Sequence, residues 1–297
     1  MKTMTPIIDA HQHFWEVARG DYGWLKPELG RIYRDYGPAD LLPKLKACGI
    51  DGTVLVQAAP SIAESEYLLA IADRTPWVLG VVGWIDFEAA DALAQIDRLL
   101  ARVKLCSIRP MIQDLPDDDW MLQPRFSPIF RHLAACDLAF DALIYPRHLP
   151  RLLRLLERHP DLRRVIDHCA KPQIAEDRLL PWADDIAQIA RHTRAFCKIS
   201  GPLTEAGADW RAEQLRPYVE HVLAAFGPER CLWGSDWPVL ETVARYEDWY
   251  QLARDLLSSL DEPARCAVFG GNAMQFYRLS ASGGLDGTGS VKGGSPG

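Results

Sequence analysis

Hydrophobic positions along the chain follow two alternating patterns. Short runs rich in β-branched residues predict eight strands, at residues 6–10, 52–57, 77–83, 105–109, 138–142, 164–167, 195–199 and 231–234. Apolar residues spaced three or four positions apart predict helices between them, at 39–47, 89–100, 149–158, 182–192, 213–226 and 246–257. A strand followed by a helix, repeated along the chain, is the pattern of parallel βαβ units.

The number of strands selects the architecture. Eight strand–helix units match an α/β fold of the closed (β/α)8 TIM-barrel type, and an open doubly wound sheet is the alternative. The chain contains neither GxGxxG nor GxxxxGKS, so the usual phosphate-binding reasons for an open sheet are lacking. We therefore predict a single barrel over residues 1–279, followed by a Gly/Ser-rich tail at 280–297 that we expect to be disordered.

Three long segments interrupt the alternation, and each follows a predicted strand. They cover residues 13–37, 111–124 and 201–209, and the first is rich in aromatic residues. In a parallel barrel, loops after strands lie at the C-terminal mouth, where active sites form. We expect these segments to serve as lids or binding loops.

Composition narrows the class of protein. The 33 Lys and Arg against 40 Asp and Glu give a net charge of −7, which argues against a nucleic-acid-binding surface. We find no apolar run near the roughly 18 residues that a membrane-spanning helix needs, and no apolar segment typical of a secretory signal near the N-terminus. The seven cysteines are scattered without a CxxC pair, which is typical of a reducing compartment, so we expect a cytoplasmic protein.

Polar residues that could carry chemistry fall at the ends of predicted strands. His11 and His13 stand two positions apart, so both side chains point the same way if the strand continues through them. His168 follows the sixth predicted strand, Asp236 follows the eighth, and Arg109 ends the fourth. Imidazoles and a carboxylate at one mouth could ligate a metal or stabilise an oxyanion. Structural alternatives are hydrogen-bonded core histidines, a helix-capping aspartate and a salt-bridged arginine.

The other five histidines lie within or at the ends of charged helical segments. We expect surface positions for His132, His148, His159, His192 and His221.

Three ordered motifs resemble one known superfamily. They are IDAHQHFW at 8–15, VIDHCAKP at 165–172 and GSDWPV at 234–239. Together they are similar to the amidohydrolase superfamily, and within it to the amidohydrolase 2 branch that holds sugar-acid lactonases of the L-fuconolactonase and L-rhamnonolactonase type. The resemblance covers about residues 6–279, and it implies a (β/α)8 barrel.

The resemblance also implies roles for individual residues. In many members of the superfamily, the residues that match His11, His13, His168 and Asp236 ligate a metal. The fifth predicted strand has no histidine, and the positive charge of Arg109 would repel a second ion, so we expect no binuclear centre. Lactonases of this branch work without a divalent metal, so none is expected to be required here. The same four residues could still hold one Zn²⁺.

The implied reaction is hydrolysis of a sugar-acid lactone, L-fucono- or a related aldonolactone, by attack of water on the ester carbonyl. Asp236 would be the general base, and His11, His13, His168 and Arg109 would stabilise the oxyanion. Candidates for holding the sugar ring are Gln57, Trp84, Lys171 and Trp237. The alternatives are a Zn²⁺-dependent decarboxylase or amide hydrolase that uses the same His/His/His/Asp set, and a barrel that binds a ligand without catalysis. The only partner we expect is the small-molecule lactone, with neither nucleic acid nor membrane, and the sequence leaves the oligomeric state open.

Overall fold

A computed structural model describes residues 5–280. Eight strands form one sheet in the order of the chain, and each neighbouring pair is parallel. The strands are β1 Ile8–Gln12, β2 Gly52–Val56, β3 Val78–Gly83, β4 Leu105–Ile108, β5 Ala139–Ala142, β6 Arg164–Ile166, β7 Phe196–Ile199 and β8 Cys231–Trp233. The predicted (β/α)8 barrel is confirmed. Of the predicted tail at 280–297, residues 281–297 lie outside the described residues.

Helices follow the strands around the outside of the barrel. They are α1 Pro38–Cys48, α2 Ile62–Arg74, α3 Ala92–Leu100, α4 Ser127–Ala135, α5 Leu149–Arg158, α6 Trp182–His192, α7 Pro202–Ala206, α8 Ala212–Phe226, α9 Tyr246–Leu256, α10 Glu262–Cys266 and α11 Asn272–Phe276. A π-helical turn, Ala267–Gly271, joins the last two. Within the described residues, no helix combines the length and apolar character needed to cross a membrane.

The sequence pattern missed α2 and α4, two of the helices that follow barrel strands. In α2 the buried face includes Glu64 and Ser65, which interrupt the apolar stripe on which the periodicity argument depends. Both polar residues bind loop backbone: Glu64 accepts from the amides of Ala58 and Ala59, and Ser65 Oγ bonds the backbone of Trp84. Helix α4 is only nine residues long, with Pro128 in its first turn.

The barrel is closed by backbone bonds between its first and last strand regions. The amide of Asp236 donates to the carbonyl of His11 at 2.8 Å, and the amide of His13 donates to the carbonyl of Trp237 at 2.7 Å. This seam explains why β1 extends two residues further than predicted, since its last residues pair with neighbours on both sides. The residues that form the seam are also candidate site residues.

Apolar side chains fill the barrel interior at the end opposite the mouth. Ile8, Val54 and Val165 pack there with Phe276 and with Tyr277, which directly follows α11. Arg163, just before β6, donates to the carbonyl of Phe276 at 2.7 Å. Helix α11 therefore covers the N-terminal end of the strands, and the chemistry is left to the other end.

The long first loop folds back on itself at the mouth. The backbones of Trp15 and Tyr36 exchange two hydrogen bonds, of 3.0 and 2.9 Å, and the rings of both residues are buried. Trp24 reaches across to donate its indole N–H to the carbonyl of Ala58, after β2. The aromatic residues of this loop thus join two neighbouring loops of the mouth.

Candidate active site

Three imidazoles and one carboxylate converge at the mouth of the barrel. Asp236 Oδ1 lies 3.3 Å from His13 Nε2 and 3.8 Å from the Nε2 atoms of both His11 and His168. All four residues are buried. The structure therefore brings together side chains as far apart in the chain as His11 and Asp236, which are separated by 225 positions.

An irregularity in β1 orients His11 and the His13 that follows the strand. The pairing of β1 with β2 shifts register between Asp9 and Gln12, and such a shift re-aims side chains near active sites. Asp9 therefore points outward, where its carboxylate accepts from Tyr246 of α9 at 3.0 Å. His11 and His13 both face the chamber, which is the space around Asp236 at the mouth of the barrel. His13 Nδ1 lies 2.8 Å from the carbonyl of Val56, so this nitrogen carries the proton and the Nε2 lone pair faces Asp236.

His168 sits on a strained turn after β6. Four consecutive residues, His168 to Lys171, have φ between 52° and 59°, a left-handed conformation that costs each non-glycine residue roughly 1–2 kcal/mol. The turn is fixed by Trp182, whose indole N–H donates to the carbonyl of Cys169 at 2.7 Å. On its other side, His168 Nδ1 lies 2.9 Å from Ser200 Oγ.

Asp236 is also held in the left-handed region, with φ 59°. The backbone just before it is anchored by Asp9, whose Oδ1 accepts from the amide of Ser235 at 2.8 Å. Burial raises the pKa of the Asp9 carboxyl to about 6, against the lowering effect of its hydrogen bonds. Asp9 is therefore a structural partner of the seam, outside the predicted set.

Burial and charge set the protonation of the chamber. Burial lowers the pKa of His168 to about 4, although Asp236 opposes the shift, so this ring is neutral at pH 7. Burial alone would raise the pKa of Asp236, but the neighbouring rings of His168 and His13 outweigh it and hold that pKa well below its usual range. Asp236 is therefore an ionised carboxylate beside a neutral imidazole.

Arg109 closes one side of the chamber and is itself buried. One terminal nitrogen lies 3.1 Å from Asp167 Oδ2 and 3.4 Å from His11 Nε2. The other donates to the carbonyl of Gln57, while the Gln57 amide donates back to the carbonyl of Arg109 at 2.7 Å. Arg109 thus reaches the imidazoles, as predicted from its place at the end of a strand.

A second layer of charge lies beneath the histidines, and the sequence reading missed it. Lys198 of β7 places its ammonium 2.6 Å from Asp141 of β5 and 2.9 Å from Asp167, and all three are fully buried. Ser107 and Tyr277 both donate to Asp141, at 2.6 and 2.7 Å. The available signal was a lone lysine and a lone aspartate inside short apolar strands, where a charge needs a partner.

The buried layer controls the ionisation of its neighbours. Burial would lower the pKa of Lys198, but Asp141 and Asp167 outweigh it and raise that pKa. Burial would raise the pKa of Asp167, but the charge of Lys198 outweighs it and holds that pKa well below its usual range. Burial, followed by the charge of Lys198, lowers the pKa of His11 well below its ordinary value, so this ring is also neutral at pH 7.

The four predicted ring-holding residues lie at different depths. Trp84 and Lys171 are half-buried at the mouth, and the Lys171 ammonium lies 5.5 Å from the ring centre of Tyr145. Gln57 and Trp237 are fully buried. The Trp237 indole donates to Glu241 and packs edge-on against Tyr36, so it supports the wall of the chamber from behind.

Two of the five histidines expected on the surface are buried instead. His148 accepts from the amide of Tyr145 and lies 3.1 Å from Asp118, while His159 packs beside Phe130. Each stands at an end of α5, where its ring turns back toward the protein, so the charged face of the helix is a poor guide to its exposure.

The chamber has the donor chemistry of a single metal site. His11, His13 and Asp236 have ligand atoms within 4.8 Å of one another, and His168 adds a fourth donor. Imidazole and carboxylate groups are ligands that Zn²⁺ takes, and the His13 Nε2 lone pair points inward. Two cations oppose an ion at His11, since Lys198 and Arg109 lie 3.2 and 3.4 Å from its ring nitrogens.

Fold and site together define a class: a (β/α)8 barrel with three histidines and an aspartate at the carboxyl ends of strands β1, β6 and β8. Comparison with known families agrees. A family model described as amidohydrolase (Amidohydro_2) matches residues 8–279, and the chain belongs to this family.

The chain is also similar to proteins that are named as lactonases. The chain is 46% identical over 282 residues to an L-fucono-1,5-lactonase of Burkholderia ambifaria, which covers 93% of this chain and 97% of the relative. It is 34% identical to an L-fucono-1,5-lactonase of Burkholderia multivorans, over 92% of this chain and 96% of the relative. A crystal structure of an amidohydrolase from Burkholderia multivorans with bound zinc superposes with a TM-score of 0.87, at 32% identity, over 93% of this chain and 100% of the other.

Proposed function

We propose that this protein opens a sugar-acid 1,5-lactone, with L-fucono-1,5-lactone as the first candidate substrate, by Asp236-assisted attack of water. Its similarity to two L-fucono-1,5-lactonases over most of the chain makes it an ester hydrolase of this type. The observation that carries the mechanism is the position of Asp236 Oδ1, within 3.8 Å of three imidazoles at the mouth.

Asp236 supports the role of general base by its ionisation and its access. Its lowered pKa keeps the carboxylate charged at neutral pH, and the residue is 6% exposed, so it keeps some contact with solvent. The carboxylate removes a proton from that water, and the oxygen of the water bonds to the lactone carbonyl carbon. General base catalysis of this kind contributes roughly 10²–10⁴-fold.

Negative charge then develops on the carbonyl oxygen. Arg109 supports its stabilisation, because its guanidinium is held in place by Asp167 and Gln57 and reaches the imidazole layer. When the ring C–O bond breaks, the leaving oxygen takes the proton that Asp236 accepted. The product is an open-chain hydroxy acid, and the carboxylate of Asp236 is regenerated.

The sugar ring would lie toward the open side of the mouth. Trp84 and Lys171 are half-buried there and can contact ring hydroxyls or the face of the ring. Gln57 acts differently: its side-chain amide donates to the backbone carbonyl of Arg109, and its own backbone carbonyl accepts from the guanidinium.

A bound Zn²⁺ would be held by His13, His168 and Asp236, with His11 opposed by its cationic neighbours. Such an ion would polarise the ester carbonyl as a Lewis acid. The reaction proposed here uses the side chains alone, and we expect it to continue without added metal.

Acid release from a panel of five- and six-membered aldonolactones tests the proposal. The purified protein is assayed with a pH indicator, before and after dialysis against a chelator, beside the Asp236→Asn variant. Turnover of L-fucono-1,5-lactone that survives chelation and is lost in the variant supports the proposal.

Two results would count against it. Flat traces across the panel would reject lactone hydrolysis. Activity that disappears with chelator and returns with Zn²⁺ would reject the metal-independent mechanism and favour a zinc-dependent amidohydrolase reaction.

A further inference from the structure

The ring of His11 lies between two cationic hydrogen-bond donors. The Lys198 ammonium is 3.2 Å from Nδ1, and a terminal nitrogen of Arg109 is 3.4 Å from Nε2. A neutral imidazole carries one proton and accepts at the other nitrogen only. Only one of the two cations can therefore donate to the ring.

The surroundings of Lys198 decide between them. An ammonium has three protons and no acceptor, and three acceptor atoms lie within reach: Asp141 Oδ2 at 2.6 Å, Asp167 Oδ1 at 2.9 Å and His11 Nδ1 at 3.2 Å. A proton on Nδ1 would point at this ammonium. The nearest alternative acceptor for that proton, Asp167 Oδ1, is 3.6 Å away, which is long for a hydrogen bond.

Arg109 is less dependent on the imidazole. Its guanidinium already has Asp167 Oδ2 and the carbonyl of Gln57 as partners. Its contact with His11 is also the longer of the two, at 3.4 Å. The ring therefore accepts from Lys198, and its single proton goes to Nε2.

We propose that Lys198 is a positioning residue that fixes the Nε2–H tautomer of His11 and so makes His11 a hydrogen-bond donor to the substrate. His11 and Arg109 then direct two N–H groups into the same part of the chamber, which is the arrangement that stabilises an oxyanion. This role for the Nε2 proton rests on the proposed lactone hydrolysis. The tautomer itself does not.

The same tautomer removes His11 from the possible metal ligands, because a protonated nitrogen has no lone pair to give. Lys198 thus separates two uses of one set of side chains: with the ammonium in place His11 donates, and without it the ring can turn its lone pair inward.

The tautomer is measured directly on the unaltered protein. Nitrogen-15 NMR of histidine-labelled protein separates protonated from unprotonated ring nitrogens, and the His11 signals are assigned with His11→Gln. We expect a protonated Nε2 and an unprotonated Nδ1 at pH 7.5. A proton on Nδ1 would overturn the proposal.

A charge-balanced variant tests the cause. Lys198→Met combined with Asp141→Asn removes the ammonium and one of its counter-charges together, so that no extra buried charge is left behind. We expect the His11 signals to shift toward Nδ1–H, and Zn²⁺ affinity by calorimetry to rise at least tenfold. The control, Lys104→Met, removes another hydrogen-bonded lysine, which directly precedes β4 at the end of the barrel away from the mouth. It should leave the His11 tautomer and the Zn²⁺ affinity unchanged.

Unchanged zinc affinity and an unchanged tautomer in the double variant would refute the role of Lys198. With L-fucono-1,5-lactone, we expect kcat of the double variant to fall by tenfold or more while KM changes less than threefold. If the unaltered protein shows the Nε2–H tautomer but opens no lactone, the proposed function fails while the assignment of the tautomer stands.

Discussion

Replacing Gly201 with alanine should displace the imidazole of His168. Gly201 follows Ser200 at the end of β7 and has φ 70°. A Cβ atom added there would lie 3.0 Å from Nδ1 and 3.2 Å from Cγ of His168. The imidazole would have to move by a few tenths of an ångström, which would disturb its contact with Ser200 Oγ at 2.9 Å.

The cost in stability has two parts. Alanine is strained in the left-handed backbone, but it also makes the unfolded chain less flexible, and the net loss of stability is about 1 kcal/mol. Overpacking against a buried ring adds roughly 1–3 kcal/mol. The catalytic cost follows from displacement. A misplacement of about 1 Å can cost roughly 10²-fold in rate, so a few tenths should lower kcat/KM about tenfold.

Gly49→Ala is the matched control. This glycine follows α1 in the same left-handed conformation, with φ 66°, and an added Cβ meets nothing within 4 Å. Both variants should lose stability in urea unfolding, the control by about 1 kcal/mol and Gly201→Ala by more. Only Gly201→Ala should lose activity. Equal kcat/KM in both folded variants would show that the position of His168 is not limiting.

Three further outcomes are expected, two at the site and one in helix α2. Asp236→Asn should lower kcat by roughly 10²–10⁴-fold with little change in thermal midpoint, and a smaller loss would remove Asp236 as base. With the pKa of His168 at about 4 and that of Asp236 below its usual range, kcat/KM should stay level from about pH 6 to 8 and fall through about pH 4 as His168 binds a proton while Asp236 stays ionised. A fall centred near 6.5 would contradict these shifts. Glu64→Ala leaves the amides of Ala58 and Ala59 without their acceptor and should lower the free energy of unfolding by about 2–4 kcal/mol. Urea denaturation giving under about 0.5 kcal/mol would show that water replaces the carboxylate.

Sequence alone predicted the strands well, because apolar runs buried on both sides have few alternatives. It also placed His11, His13, His168 and Asp236 at one mouth, since in a parallel barrel every strand end faces the same way. The first strand was predicted two residues early because its final residues pair across the seam, and no local pattern records a bond between residues 13 and 237.

The buried charges show what local patterns omit. Lys198 and Asp141 are single charged residues within short apolar strands. Each is the other's partner, 57 positions away in the chain. The fold brings them together beneath His11, where no hydrophobic periodicity points. In the same way, Glu64 interrupts the apolar stripe of α2 because its carboxyl oxygens accept hydrogen bonds from the loop after β2.

The seam between the two ends of the barrel has a consequence for folding. The hydrogen bonds that join residues 11 and 13 to residues 236 and 237 also set the distance between the imidazoles and the carboxylate. During synthesis, His11 and His13 are made first, but the catalytic geometry cannot form until β8 and Asp236 have been added. Mild denaturation that parts the two edges should abolish turnover while most helices are still formed.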